Sequence, residues 1–230
     1  MESNTEKQGQ KKRSPDTKTL VTLSMLAAIA FVSAWLIKIN IFGFLSLEPK
    51  DTVLAVTGFL FGPWAAFFTA AAVSLAEMLL ISSTGIIGFV MNILSSAAFV
   101  LPAALLYKRS RTLKSAVTGL ILGTVIMTAV MLVWNYLITP LYMNTSREAV
   151  KALLPTVFLP FNLIKGCLNA GLTMLVYKPG VQALKKAHLL PAVHENRGER
   201  KQRSSLTVIV CTALIVAACA VTVFLLKTGN

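Results

Sequence analysis

The sequence predicts an all-α integral membrane protein, built as a bundle of transmembrane helices without a water-soluble domain. Hydrophobic residues make up 55% of the 230-residue chain and charged residues only 13%, and the mean hydropathy is +0.71. A soluble domain typically carries about a quarter charged residues, so this chain has too few polar side chains to cover a surface that faces water. Several apolar runs are close to the roughly twenty residues that a helix needs to cross a bilayer.

The predicted helices follow these apolar runs in chain order. Helices 1 to 7 are predicted at residues 19–37, 52–61, 64–81, 85–107, 115–138, 154–177 and 206–226. Helix 2 is short because Gly62 and Pro63 favour a turn before helix 3. The run between helices 1 and 2, residues 39–51, contains Gly43 and Pro49, and we expect it to form a loop that dips into the membrane edge.

Composition divides the chain into four predicted regions. They are a disordered basic cytoplasmic tail at residues 1–18, a six-helix membrane-embedded core at 19–184, a basic cytoplasmic linker at 185–205 and an additional transmembrane helix at 206–227. The tail and the linker are rich in charged residues and glutamine, a composition that cannot bury enough apolar surface to fold. The tail also lacks the features of a cleaved signal peptide, so helix 1 is expected to be retained.

Three basic clusters predict the orientation of the bundle. They lie at residues 11–18, 108–114 and 178–203, each beside an apolar run. With the N-terminus in the cytoplasm, all three clusters fall on the cytoplasmic side, as the positive-inside rule requires. We therefore expect a multi-pass protein of the plasma membrane, surrounded by lipid, with its C-terminus outside. The net charge of +13 reflects this topology, and no nucleic-acid partner is expected, since nucleic-acid binders gather such charge on one face of a soluble domain.

The sequence carries no signature of an enzyme or a metal site. It lacks a metalloprotease helix motif, a phosphate-binding glycine loop with lysine and a nucleophile elbow, so we predict neither catalysis nor a resident cofactor. Cys167, Cys211 and Cys219 lie in apolar stretches without ligand spacing and are expected to be small buried hydrophobes. Gly119 and Gly123 form a small-xxx-small pair, which indicates close helix packing.

Polar side chains inside the apolar runs are the best candidates for a binding site. Lys165 and Asn162 lie three residues apart, on one face of helix 6, and Asn135 and Asn92 lie in helices 5 and 4. An ionisable group in hydrocarbon is costly and usually marks a site or a pathway, so together they favour a polar ligand pocket. The alternative is that the amides bond neighbouring helices and the lysine snorkels outward. Glu77 is expected at the outer edge of helix 3.

Four segments, taken together and in order, resemble the riboflavin-binding S component of energy-coupling factor (ECF) vitamin importers. They are FLFGP at 59–63, VLPAALLYKR at 100–109, NYLITPLY at 135–142 and FNLIKG at 161–166. The resemblance covers roughly residues 20–184 and implies a six-helix S-component bundle, with helix 7 as an addition. It also implies a substrate-capture subunit that binds riboflavin from outside and works with a transmembrane T component and two ATPase subunits.

The resemblance also implies which residues bind riboflavin. Asn135, Asn162 and Lys165 match the positions that hydrogen-bond the isoalloxazine ring, in a pocket closed by the loop after helix 1. Asn92 is a further polar candidate. The remainder of such a pocket is expected to be apolar and aromatic, with Phe44, Leu45, Trp134 and Phe158 as candidates.

S components dock on the T component through an Ala-x-x-x-Ala motif in helix 1. The corresponding frames here are Ser24 with Ala28, and Ala30 with Ala34. Two departures accompany this match: serine replaces the first alanine, and LSLEPKD at 45–51 stands where the family has a more hydrophobic, aspartate-containing stretch.

Two other functions stay open at this point. One is an S component for a different vitamin or cofactor precursor, which binding assays with several vitamins distinguish. The other is a membrane-embedded enzyme or a stand-alone permease. The absence of paired intramembrane acids argues against the enzyme, and growth rescue without ATPase partners would support the permease.

Overall fold

The computed structural model describes residues 17–42, 45–81, 84–187 and 189. The predicted tail up to residue 16, most of the predicted linker, the predicted seventh helix and Phe44 lie outside the described residues. The elements, in chain order, are α1 (Thr17–Leu36), β1 (Ile39–Phe42), β2 (Leu45–Leu47), α2 (Lys50–Phe61), α3 (Pro63–Leu80), α4 (Gly85–Ser110), α5 (Leu113–Met143), α6 (Arg147–Leu153) and α7 (Leu159–Lys186).

All six apolar runs predicted up to residue 177 are helical, but they do not all have the length of a membrane span. Within the described part, five helical segments are long and apolar enough to cross a membrane. The exception is α2, whose 12 residues extend about 18 Å, less than the roughly 30 Å of a bilayer core. The α2 helix is therefore too short to cross a bilayer alone, and most of its residues are buried in the bundle.

Helices α4 and α5 form the most extensive packing in the described bundle. A Cβ atom added to Gly119 would lie 2.9 Å from the Ala103 Cα, and one added to Gly123 would collide with the Phe99 carbonyl oxygen. Only glycine permits this approach of the two backbones. The prediction that Gly119 and Gly123 are packing residues is confirmed.

The segment between α1 and α2 is a short antiparallel hairpin, not the predicted loop at the membrane edge. Strand β1 pairs with β2, with Ile39 opposite Leu47 and Asn40 opposite Ser46. Leu45 and Leu47 are buried while Ser46 between them is half-buried, which is the alternation of a strand with one covered face. The expectation was wrong because the residues on either side of the Gly43–Phe44 pair in the sequence form paired strands, and Pro49 follows them as the N-cap of α2.

The connection after α5 is also more helical than predicted. Helix α5 continues to Met143, five residues beyond the expected end, and stops where Asn144 adopts a left-handed conformation with φ of 49°. Helix α6 begins after Ser146, whose hydroxyl accepts a hydrogen bond from the Ala149 backbone N–H at 3.3 Å. A π-helical turn, Leu154–Phe158, joins α6 to α7. It contains Pro155, whose nitrogen cannot donate to the helix ladder.

Candidate functional site

One face of α7 carries three buried polar side chains at helical spacing: Asn162, Lys165 and Asn169. Their exposed fractions are 2%, 7% and 1%. The Asn162 Nδ2 donates to the Phe158 carbonyl at 2.7 Å. This face points into the bundle, so Lys165 does not snorkel outward.

The ammonium of Lys165 makes no hydrogen bond and no ion pair within the described residues. Of this residue, only the backbone carbonyl is bonded, at 3.1 Å from the Asn169 Nδ2. A buried charge without a partner is costly, and buried polar groups normally have partners. A buried lysine whose ammonium has only a longer-range attraction to Glu48, and no hydrogen bond or ion pair, indicates a place for a polar ligand.

The hairpin supplies an apolar wall beside this face. Leu45 and Leu47 form one buried cluster with Val150, Phe158 and Phe161. The structure therefore brings together two of the predicted apolar residues, Leu45 and Phe158. Since the carbonyl of Phe158 also accepts from Asn162, the apolar cluster adjoins the polar face of α7.

On the facing helix α5, Asn135 is fully buried and bonded within its own helix. Its Nδ2 donates to the Met131 carbonyl at 2.7 Å, and its Oδ1 accepts from the Thr139 hydroxyl at 3.1 Å. Asn135 and the half-buried Trp134 line a cleft between α4 and α5, together with Met91. The structure thus places this predicted pair on the wall formed by α4 and α5.

The packing of α5 against α7 shows how far apart the polar face of α7 and the Asn135–Trp134 pair of α5 lie along the bundle. The helices run antiparallel, and a Cβ atom added to Gly166 would collide with the Thr124 side chain. One turn from this contact on each helix, toward the connection between α5 and α6, lie Thr128 and Asn162. The hydroxyl of Thr128 is buried and has no partner among the described residues. Asn135 lies seven residues beyond Thr128, about 10 Å along the helix axis.

Asn92 belongs to a different group of side chains. Its Nδ2 donates to the Glu77 Oε2 at 2.9 Å, and the same oxygen accepts from the Lys50 Nζ at 2.5 Å. The expectation that Glu77 lies at the outer edge of the bundle was wrong, because this residue is 5% exposed. Its burial depends on a lysine 27 positions earlier, which no local pattern indicates.

Lys50 is the centre of a buried charged network that the sequence did not predict. It is 1% exposed and lies 3.2 Å from the Glu48 Oε2 as well as 2.5 Å from the Glu77 carboxylate. Next to it, the Asp51 Oδ1 accepts from the Ser96 hydroxyl at 2.5 Å. No group of three potential metal ligands is present in the described part of the chain, so the lysine itself provides the positive charge.

Glu48 connects the hairpin electrostatically to α7. Burial raises the pKa of its carboxyl, but the ammonium groups of Lys50 and Lys165 and a hydrogen bond from Ser46 outweigh burial and hold the pKa below its ordinary value. The Glu48 carboxylate therefore stays ionised at neutral pH. It lies close enough to Lys165 for their charges to attract.

Asn169 joins the same two elements by hydrogen bonds. Its Nδ2 donates to the carbonyls of Glu48, at 3.2 Å, and Lys165, at 3.1 Å. Its Oδ1 accepts from the Thr52 backbone N–H at 3.2 Å and from the Thr52 hydroxyl at 3.0 Å. The sequence analysis missed Asn169, although its place four residues after Lys165, on the same helical face, was a usable signal.

The two candidate docking frames on α1 differ in accessibility. Ser24 and Ala28 are exposed, whereas Ala30 and Ala34 are 0% and 3% exposed. Ala30 belongs to the main apolar core. Only the frame of Ser24 and Ala28 is therefore open to another protein.

Comparison with known proteins places the chain in a family. Residues 18–177 match the family described as "ECF transporter, substrate-specific component". The chain is 35% identical over 178 residues to the riboflavin transporter RibU of Staphylococcus aureus (strain TCH60), covering 74% of this chain and 93% of that protein. It is 31% identical over 187 residues to the riboflavin transporter FmnP of Bacillus subtilis (strain 168), covering 75% and 98%.

The fold agrees with these matches. A solved S component of a bacterial ECF transporter superimposes with a TM-score of 0.62 at 36% sequence identity, covering 73% of this chain and 98% of that one. The matched region contains α1 to α6 and most of α7, and therefore all the described site residues. Because the family match spans most of the sequence, the chain belongs to the substrate-specific components of ECF transporters.

Proposed function

We propose that this chain captures riboflavin at the outer side of the plasma membrane and delivers it inward together with an ECF energising module. The observation that carries the proposal is Lys165, a buried residue one turn from Asn162 whose ammonium makes no hydrogen bond or ion pair with the described residues. Two relatives that align over nearly their whole length are named riboflavin transporters. The family consists of transporter subunits rather than enzymes.

The chemistry of the site suits the polar edge of a flavin. The pyrimidine edge of the isoalloxazine ring alternates carbonyls and ring nitrogens, which an ammonium and an amide can complement. We assign the hydrogen bonds to Lys165 and Asn162, with Asn135 as a third partner. Each asparagine uses one N–H within its own helix and keeps a second N–H for the ligand. The flat apolar part of the ring would pack on Leu45, Trp134 and Phe158, with Phe44 next to Leu45 in the sequence.

Asn92 has a different role in this proposal. Because its amide already binds Glu77, we propose that it stiffens the wall behind the pocket and does not contact the vitamin. The exposed frame of Ser24 and Ala28 is proposed to dock on the T component, which carries two ATPase subunits. The proposed orientation has the N-terminus in the cytoplasm and the C-terminus outside, because this puts the basic clusters inside.

Titration of the purified chain with riboflavin tests the proposal. Flavin fluorescence is expected to be quenched on binding, with one riboflavin per chain. Other vitamins, used as competitors, identify whether the site prefers a different ligand. Failure of riboflavin to bind while another vitamin binds would replace the proposed ligand. Uptake by cells without the T component and the ATPases would favour a stand-alone permease.

A further inference from the structure

We infer that Asn169 is a positioning residue for the vitamin site, because it clamps the segment after the hairpin to the turn of α7 that carries Lys165. This inference rests on the proposed function. We call residues 48–52 the strap, since they connect β2 to the first turn of α2. Through this clamp, the position of the strap and the position of the α7 turn that carries Lys165 depend on each other.

Every hydrogen-bond donor and acceptor of the Asn169 side-chain amide has a partner. A side-chain amide offers two N–H donors and two acceptor lone pairs. Here both donors reach carbonyls, those of Glu48 and Lys165, and the oxygen accepts from two groups of Thr52. These partners also fix the orientation of the amide, because the backbone N–H of Thr52 can only donate and the carbonyls can only accept.

The bond to Thr52 supplements the N-terminal cap of α2. The first N–H groups of a helix have no partner within it, and a side chain at the N-cap usually accepts from the second or third residue. The N-cap of α2 is Pro49, and no side chain of α2 itself provides this bond. Asn169 accepts from the backbone N–H of Thr52, the third residue of α2, which also donates to the Pro49 carbonyl at 3.1 Å. A side chain of α7 thus supplements the cap of the helix that the strap begins.

The other side of the strap is fixed by charge. Lys50 lies between the carboxylates of Glu48 and Glu77, which ties the strap to α3. With Asn169 on one side and Glu77 on the other, the Glu48 carboxylate is held where it attracts the Lys165 ammonium. Releasing the clamp would free the strap and the α7 turn to move apart, and the Lys165 ammonium would lose the nearby Glu48 carboxylate that attracts it.

A double-mutant cycle separates positioning from a merely structural role. Asn169→Leu, which keeps the side-chain size, is expected to weaken riboflavin binding about tenfold, equivalent to about 1.4 kcal/mol. In the Lys165→Gln background the same change is expected to have little effect, since the group that it positions is gone. Equal loss of affinity in both backgrounds would overturn the inference. Thr52→Val, which removes one bond of the clamp, is the milder variant if Asn169→Leu folds poorly.

The matched control is Thr173→Val, one turn further along α7. Thr173 is equally buried, and its hydroxyl bonds the Asn169 carbonyl within the same helix, at 2.6 Å. This variant is expected to retain the affinity of the wild-type chain. A loss equal to that of Asn169→Leu would show that any polar group lost from α7 has the same effect, and would contradict a specific clamp.

Hydrogen exchange of the full chain in detergent tests the clamp without depending on affinity. Without ligand, peptides that contain the strap should exchange faster in Asn169→Leu than in Thr173→Val or the wild type. If these peptides exchange at the wild-type rate in Asn169→Leu, the inference that Asn169 holds the strap is wrong. If the wild type fails to bind riboflavin, the proposed function is wrong, and the ligand-free comparison still decides whether Asn169 holds the strap.

Discussion

Lys165 shows how a single side chain indicates a ligand. This buried residue lies on a face of α7 that also carries Asn162, and its ammonium makes no hydrogen bond or ion pair with the described residues. We expect Lys165→Ala or Asn162→Ala to weaken riboflavin binding by about tenfold or more, since an unmatched polar group costs about 1–3 kcal/mol. Fluorescence titration measures the change, with the exposed Lys114→Ala as control. If both variants bind riboflavin with the affinity of the wild type, the binding site must lie elsewhere in the chain.

The lowered pKa of Glu48 makes the stability of the folded chain depend on pH. Its folded pKa lies below its ordinary value, so its contribution to stability is complete above the unfolded pKa of about 4.3 and is lost as pH falls through the folded pKa. Glu48→Gln is therefore expected to lower Tm in detergent at about pH 7, and the difference from wild type should shrink below about pH 4. Glu148→Gln, at an exposed position on α6, should show no such trend. A difference that grows on acidification would contradict the assignment.

The candidate site was predictable where a polar residue stands out against an apolar run. Lys165, Asn162 and Asn135 were found in this way, and the structure buries all three. Lys50 and Glu77 were missed, because each stands near the end of an apolar run where a charge normally meets water. Only the fold shows that the two side chains meet.

At the scale of elements, the α4–α5 contact depends on glycine. Gly123→Ala is expected to lower Tm strongly, because its Cβ would collide with the Phe99 carbonyl, a backbone atom that cannot turn aside. Gly180→Ala in α7 is the matched control, since its Cβ would meet Val176 at 3.9 Å, an ordinary contact. Thermal unfolding of both variants in detergent tests the prediction, and equal Tm values would contradict it.

Helix α1 offers a second test at this scale, through its exposed face. Ala28→Leu is expected to abolish riboflavin uptake in cells but to leave binding to the purified chain unchanged, because a bulky side chain prevents close helix approach. Ala30→Leu provides the contrast. Ala30 lies in the core, so this substitution should disturb folding and binding as well. Normal uptake by Ala28→Leu would remove this face from the proposed docking surface.

Hydropathy predicted helices better than connections, for a physical reason. Each span must be apolar over its length, whatever it packs against, so α1, α3 and α4 were found to within a few residues. The hairpin and α6 depend on contacts that are distant in sequence, such as Leu47 with Val150. No local pattern contains those contacts.

At the scale of the whole molecule, polar groups divide into two sets. The basic clusters flank the apolar runs in the sequence, while Glu48 and Lys50 of the strap and Glu77 of α3 are buried and paired. The described helical core therefore carries its own internal charge network. It includes most of the family match at 18–177.

Residues beyond that core are expected to be dispensable for riboflavin binding. All described members of the proposed site lie between Leu45 and Asn169, and the apolar run at 206–226 contains no charged residue that would suit a flavin. Residues 185–205 are rich in charged side chains, a composition that cannot bury much apolar surface. Truncation after His194 is therefore expected to preserve riboflavin affinity, although membrane retention or assembly with partners would be weakened. Titration of the truncated chain in detergent measures this. A truncated protein that stays folded but no longer binds riboflavin would make the seventh helix part of the binding core.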